Sequence, residues 1–417
     1  MSRIARKKDQ VMSAKLVQIA ILAIAVCAPF AAAQEDNSAS APGTTPGFGG
    51  PDAVENQMEK DRETWNEWKK SLKDEHGFAF SVDYTSVLLT ATETFTDSTG
   101  AGGIARIYGA WDLVDEGAGA LVWKFEHRHR YGDTSPFDFS MGQMGYVGLQ
   151  EPPFSDQEFR TTNLYWRQRL NGGRSTLIAG MLDSTDYVDA FALASPWLHF
   201  MNFAFSTGSA AIGLPNDAAV GIAYGSMLTD NIYMIAGLTD TNADPTKPFD
   251  GFDTFFSDNE YFKSVEIGYT TSHERIIFDN YHVTVWHKDR QVAANVPDGW
   301  GLAFSFSRYL NDNFMPFVRG AYAEDGGSLL EKSLSLGIGY QTEAFSGLLG
   351  AAFNWGEPNE STFAPGLDDQ YAIEVFYRVP IGNRFAVTAD TQFIKDPALN
   401  PAESTIWMFN VRARFVF

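Results

Sequence analysis

The chain ends in Trp407-Met408-Phe409-Asn410-Val411-Arg412-Ala413-Arg414-Phe415-Val416-Phe417. An extended strand turns successive side chains to opposite faces. Trp407, Phe409, Val411, Ala413, Phe415 and Phe417 therefore share one face, and Met408, Asn410, Arg412, Arg414 and Val416 share the other. The first face is greasy, while the second carries two guanidinium groups. In a soluble sandwich the polar face would meet bulk water. In a closed barrel it meets a wet lumen, and the greasy face meets lipid.

The same alternation recurs upstream. Tyr371, Ile373, Val375, Tyr377 and Val379 oppose Glu374 and Arg378, and Leu121, Trp123 and Phe125 oppose Lys124, Glu126, Arg128 and Arg130. Leu334, Leu336, Ile338 and Tyr340 oppose a row of Ser333, Ser335, Gly337, Gly339 and Gln341. Val265, Ile267 and Tyr269 oppose Ser264, Glu266 and Thr270; Tyr281, Val283 and Val285 oppose His282, Thr284 and Trp286. From Gly77 to Phe417 the spacing yields about sixteen such segments, with 200–206 readable as strand or loop. No stretch downstream of the leader is apolar for the roughly twenty residues of a membrane helix. A closed barrel satisfies every backbone polar group inside lipid, which an open sheet does not. The fold expected is an all-β transmembrane antiparallel β-barrel preceded by a short N-terminal helix.

The front of the chain has three other textures. Residues 1–33 read as an export signal: Arg3, Arg6, Lys7, Lys8 and Lys15 are basic, Leu16 to Val26 is apolar but for Gln18, and Ala31-Ala32-Ala33 places the cut before Gln34. Val26 before Cys27 makes a poor lipidation site. Cleavage removes the single cysteine, so the exported chain has no disulfide and relies on burial and backbone pairing. Residues 34–51, rich in Ala, Ser, Gly and Pro, read as a flexible linker. Residues 52–76 read as a periplasmic helix, with Trp65, Trp68 and Leu72 on one stripe. That stripe would pack on the barrel rim, or else form a plug or an oligomer contact.

Charge narrows the partners. The chain carries a formal −21, and the leader takes away five bases for one acid, so the exported protein is more acidic still. Nucleic acid is excluded as a partner by repulsion of its phosphates. Asn171-Gly172-Gly173 and Asn311-Asp312 are tight turns suited to the periplasmic side. Segments 131–159, 183–216, 240–260, 288–299 and 355–369 are long and rich in Gly, Pro, Asp and Asn. They read as external loops or as loops folded inward, with 131–159 the first choice for a constriction. Asp240, Asp244, Asp250, Asp253, Asp258 and Glu260 make one of them a solvated acidic rim, available for incidental divalent-cation bridging to lipopolysaccharide.

No Gly-x-Ser-x-Gly elbow, phosphate loop or His-Glu-x-x-His helix is present, so no catalytic residue, cofactor or metal is assigned. His127 and His129 share a strand face, but two ligands without a third do not define a metal site. A barrel-type lipid hydrolase would need a Ser/His pair on the outer wall, for which no local pattern stands out.

Several stretches resemble the carbohydrate-selective porins of the OprB type. Trp65-Asn66-Glu67-Trp68-Lys69-Lys70-Ser71-Leu72, followed by Gly77-Phe78 and Tyr84, is similar to that family's tryptophan-led helix entering the first strand. Asn66 and Glu67 stand where the family has a double glycine, and Lys69 where it has arginine. Ala179-Gly180-Met181-Leu182-Asp183, Phe203-Ala204-Phe205 and Leu214-Pro215-Asn216 resemble its central block. Glu374-Val375-Phe376-Tyr377-Arg378 and Thr391-Gln392-Phe393-Ile394-Lys395-Asp396-Pro397 resemble its ending. The terminal aromatic Phe417 resembles the assembly signal of bacterial outer-membrane proteins.

The resemblance implies a sixteen-stranded outer-membrane porin that passes mono- and small oligosaccharides, with the homotrimer common among porins of this size. A sugar offers hydroxyls to charged side chains and C–H faces to aromatic rings. The inward candidates for such contacts are Arg106, Tyr108, Lys124, Glu126, Arg128, Arg130, Arg167, Arg169, Glu266, Trp286, Glu374, Arg378, Arg412 and Arg414. Each could equally brace the wall, as lumenal ion ladders do in large barrels. The basic bias of this set also admits a general or anion-preferring porin, and a plugged structural barrel is the remaining alternative.

Overall fold

The structure is a computed structural model and describes residues 65–114, 117–311, 313–382 and 384–417. The leader, the linker and the start of the N-terminal helix lie outside the described residues, as does Asp312 of one predicted turn. The described chain opens with a helix, α1 (Trp65–His76), and continues through sixteen strands. The first eight are β1 (Phe78–Thr90), β2 (Thr99–Val114), β3 (Gly119–Arg130), β4 (Glu158–Leu170), β5 (Ser175–Leu182), β6 (Ala219–Met227), β7 (Ile232–Asp240) and β8 (Tyr261–Thr270). The second eight are β9 (Asn280–Lys288), β10 (Gly299–Ser307), β11 (Phe314–Asp325), β12 (Leu330–Gln341), β13 (Leu348–Pro358), β14 (Gln370–Ile381), β15 (Phe385–Lys395) and β16 (Thr405–Val416).

Each strand pairs antiparallel with its neighbours in sequence, and β1 pairs with β16 to close the barrel. The closing register runs from Asp83 opposite Val416 to Leu88 opposite Val411. Closure removes the two free edges that an open sheet would expose to hydrocarbon. Across this seam Asp83 of β1 accepts from Arg106 of β2 (2.8 Å to Nε) and from Arg414 of β16 (2.7 Å to Nη2). One buried carboxylate thus ties three strands together.

Side-chain alternation follows the sequence reading. On β16 Trp407, Phe409 and Val411 are exposed on the outer wall, while Met408, Asn410, Arg412 and Arg414 are buried inside. On β9 His282, Thr284 and Trp286 point inward, with Val285 exposed. Most of the short turns lie at the end shared by the termini. Asn171, Gly172 and Gly173 all take positive φ there (54°, 65° and 90°), which is why a two-glycine turn joins β4 to β5.

The described part of α1 lies on the rim and does not enter the lumen. Trp68 meets the outward-facing Phe80 edge-on, ring centres 5.9 Å apart. Outward-facing Trp111 donates from its indole to the His76 carbonyl (3.1 Å), and Lys69 donates to the Phe417 carbonyl oxygen (3.2 Å). The helix therefore covers the outside of the seam at the end where both strands begin and finish.

Three long loops take three different paths. Residues 131–157 fold inside the barrel, burying Phe139, Met144, Tyr146 and Phe154 against the wall. Residues 183–218 also fold inside and fill much of the opposite half of the lumen. Phe191, Phe200 and Phe205 pack there on the inward Phe317 of β11 and Phe376 of β14, with Phe200 and Phe376 centred 4.9 Å apart. The stretch 200–206 belongs to this loop and forms a 3-10 turn at Phe203–Phe205. The acidic segment between β7 and β8 bends the other way, over the outer wall. Its helix α2 (Asp250–Ser257) follows a chain whose Pro245 carbonyl accepts from the Thr161 amide (3.0 Å), and Phe255 packs on Met181 and Val220.

Val411 sits mid-strand on the lipid face. Replacing it with arginine is expected to lower the stability of the barrel by about 2–4 kcal/mol, the cost of an arginine near the bilayer midplane. Urea unfolding of the protein in lipid vesicles measures this; an unchanged midpoint would place that face away from hydrocarbon.

Candidate functional site

The two inward loops leave a cavity of about 470 Å³ against β3 and β4. Its polar wall comes from alternate residues of β3 (Lys124, Glu126, Arg128) and from Arg160 and Thr162 of β4. A bulge in β4 opposite Lys124 and Phe125 shifts the pairing, so that Arg160 faces Glu126 and Asn163 faces Lys124. Loop 183–218 closes this wall with Asp183, Asp186, Asn216 and Asp217. The opposite wall is greasy: Phe137, Leu149, Pro153, Trp197, Phe203 and Leu214.

The charges are paired. Arg128 donates to Glu126 (2.7 Å) and reaches Asp217 (3.3 Å). Arg160 bonds Asp217 and Gln157, and Lys124 stands 3.8 Å from Asp186. Burial works against the Asp217 carboxylate, but Arg160 and Arg128 hold it below the usual range. Asp183 is different. Burial, with Asp217 and Asp186 close by, pushes its carboxyl well above the usual range.

Many of the predicted inward residues serve as clamps on the loops. Glu374 accepts the amides of Met201 (2.6 Å) and Asn202 (3.0 Å). Arg412 donates to Glu151 (2.7 Å) and to the carbonyls of Pro196 (2.6 Å) and His199 (2.8 Å). Glu266 accepts the Asp189 amide (2.9 Å) and the hydroxyls of Tyr233 (3.0 Å) and Thr284 (2.7 Å). Arg106 pairs with Asp83 and lies over the Trp197 ring, 3.6 Å from its centre, and Arg414 shares Asp83 and touches the Tyr108 hydroxyl (3.4 Å).

Other residues in that set lie elsewhere. Arg167 and Arg169 face inward near Asp112, 3.6 Å from Arg167. Arg378 is half-buried on β14, and exposed Arg130 pairs with Asp156 at 3.1 Å. Trp286 points inward but is only 1 % exposed: its ring sits in a slot over Gly301, Gly326 and Gly213, stacked on Phe262. The cavity thus brings together Lys124, Glu126 and Arg128 from the predicted set, and Arg106 touches its rim through Trp197. His127 and His129 lie on the outer wall, where His129 meets the Tyr84 hydroxyl (2.9 Å).

Sequence reasoning did not single out Arg160, Asp183, Asp186, Asp217 or Trp197. Arg160 is masked by the β4 bulge, which breaks the alternation. The others come from loops, where no periodicity signals direction. Arg319 of β11 was also missed. It donates to the Asp189 backbone (2.9 Å) and to Ser305 (2.8 Å) and bonds the Asp189 carboxylate, whose other oxygen is 2.7 Å from His282. Burial opposes ionisation of Asp189, but Arg319 and His282 hold its carboxyl below the usual range.

With this geometry in view, comparisons with known proteins point one way. Residues 335–417, which carry the clamps Glu374 and Arg412, match the carbohydrate-selective porin, OprB family. No curated protein matches the sequence. The fold is similar to that of Pseudomonas putida OprB at high pH, with a TM-score of 0.64 and 12 % identity over 85 % of this chain and 97 % of that one. Against the low-pH form of the same protein the TM-score is 0.51 at 10 % identity, over 85 % and 96 % of the two chains. These likenesses establish the closed porin-type barrel.

The clamp on Glu151 carries a pH dependence. Burial pushes this carboxyl up to about 7 against the pull of Arg412, with Asp390 adding to the rise. A free glutamate titrates at about 4.3. The docked loop thus holds the proton more tightly than an undocked one. Its stabilisation is full at acid pH and is lost as pH rises through about 7. Flicker in single-channel current is expected to grow as pH rises from about 4 to about 7, the window between the free and the docked titration, and Glu151→Gln to flatten the change. A pH response that survives the substitution would assign it elsewhere.

Proposed function

We propose that this chain is an outer-membrane porin through which small sugars diffuse passively. The observation that carries the reading is the two-sided cavity: ionic groups on β3 and β4 face a wall of Trp197, Phe137, Phe203 and prolines. Sugars present that duality, hydroxyls at their edges and C–H groups on their faces. Passage needs contacts that are weak and reversible, and a narrow zone where they act. The likeness to the carbohydrate-selective porins in residues 335–417 supports the substrate class.

On this reading residues 1–33 direct export. The greasy wall and the acidic segment before β8 meet outer-membrane lipid, including lipopolysaccharide. Copies associate as a homotrimer. The balance of charge at the cavity speaks against the anion-preferring alternative, because Lys124, Arg128 and Arg160 each stand beside a carboxylate. A porin-type barrel is a channel, and the reading assigns no catalytic residue or cofactor.

Planar-bilayer recording of the refolded exported chain tests this. Stable conductance that falls as glucose or maltose is added is expected. Arg128→Met should raise the glucose concentration needed for half-block by about tenfold, the scale of one lost charged hydrogen bond. Conductance indifferent to both sugars would remove the sugar preference, and a folded barrel without conductance would remove the pore.

A further inference from the structure

Among the ionic groups of the cavity, Asp183 alone makes no ion-pair contact, although Lys124 is near enough to draw its carboxyl down. Arg128 and Arg160 converge on Asp217, Arg128 also takes Glu126, and Lys124 faces Asp186. The acids lining the cavity are Glu126, Asp183, Asp186 and Asp217; the bases are Lys124, Arg128 and Arg160. One carboxylate is therefore left over. The Oδ1 atom of Asp183 accepts from the amide (2.9 Å) and hydroxyl (2.6 Å) of Thr185. Among the described residues no donor reaches its Oδ2.

A second observation points to a ligand at the same place. Thr162 lines this cavity, is 2 % exposed, and its hydroxyl has no hydrogen-bond partner among the described residues. Ser155, on the facing loop, likewise lines the cavity with an unpartnered hydroxyl. Buried hydroxyls are normally satisfied, so a pair of them in one cavity with a spare carboxylate oxygen is unusual. The set asks for a ligand that brings both hydroxyl groups and a positive charge.

We propose that the constriction takes amino sugars in preference to neutral ones, with Asp183 receiving the ammonium group and Thr162 and Ser155 bonding ring hydroxyls. This deepens the sugar-porin reading and rests on it. A single spare carboxylate oxygen suits one ammonium, whereas a divalent cation such as calcium seeks about six to eight oxygens. The apolar wall of Phe137, Leu149 and Phe203, each half-buried, stands ready for the C–H face of the ring. Burial and the neighbouring Asp217 and Asp186 outweigh the pull of Lys124, so the Asp183 carboxyl is protonated more readily than a free one. Entry of an ammonium displaces that proton to solvent and leaves the local charge unchanged.

The test compares glucosamine, N-acetylglucosamine, glucose and methylammonium as blockers of the intact refolded barrel, at a pH where glucosamine is protonated. Glucosamine is expected to half-block at about one-tenth the concentration of N-acetylglucosamine, the scale of one charge-assisted hydrogen bond. Asp183→Asn is expected to bring the two sugars to within about twofold of each other. Equal block by the two sugars in the native protein would overturn the inference while leaving the sugar porin standing; that comparison needs no variant. Methylammonium as effective as glucosamine would overturn it in favour of a bare cation site. A preference that survives in Asp183→Asn would overturn the assignment to that residue. Block by none of the sugars would sink the sugar-porin reading itself.

Discussion

Pairing of β1 with β16 is the constraint on which the rest of this molecule depends. A backbone that crosses hydrocarbon must bond to itself, and a sheet does so without remainder only when its first and last strands meet. The seam is built with care for that task. Asp83 takes guanidinium groups from both sides of it, and α1 lies over its outer surface with Lys69 on the terminal residue. Once the seam is shut, the outer face of every strand is committed to lipid. The only polar volume left for the large loops is then the inside or the two rims.

That division explains where the strong ionic interactions lie. A buried ion pair gains little net stability, and it loses a great deal if one partner is removed. Here such pairs recur between wall and loop: Arg412 with Glu151, Arg319 with Asp189, Arg128 and Arg160 with Asp217. They act less as glue for the wall, whose ladders already hold it, than as addresses that fix where each loop docks. The cavity between the charged strands and the greasy loop face is a by-product of these addresses. Its shape is as definite as they are.

The fold was largely legible in the sequence because strand periodicity is a local signal and lipid enforces it on one face. The final strand alone carries the argument, and the alternation on β3, β8, β9, β12 and β14 repeats it. The site was legible only where it shares that period. Lys124, Glu126 and Arg128 follow from β3, whereas Arg160 is displaced by a bulge and Asp183, Asp217 and Trp197 sit on loops with no period to read. Trp286 is instructive in another way. Its inward direction follows from register, but its dry environment depends on Gly213, Gly301 and Gly326, which converge on it from three separate segments. Phe317 and Phe376 likewise point inward, against the expectation of a polar lumen, because a loop arrives to cover them.

The docking of the inward loops has a consequence for the order of assembly. Both leave the first third of the barrel, yet several of their holds are in the last: Gln150 exchanges hydrogen bonds with Gln392 (2.8 Å each way), Met201 and Asn202 bond Glu374, and Glu151 bonds Arg412. Contacts so distant in sequence form late, because closing a long loop costs entropy before any bond returns it. The aperture is therefore set after the wall. Until the last strands are in place the loops lack Glu374, Gln392 and Arg412, three of the residues that fix them. Narrowing the passage and finishing the cylinder are one event.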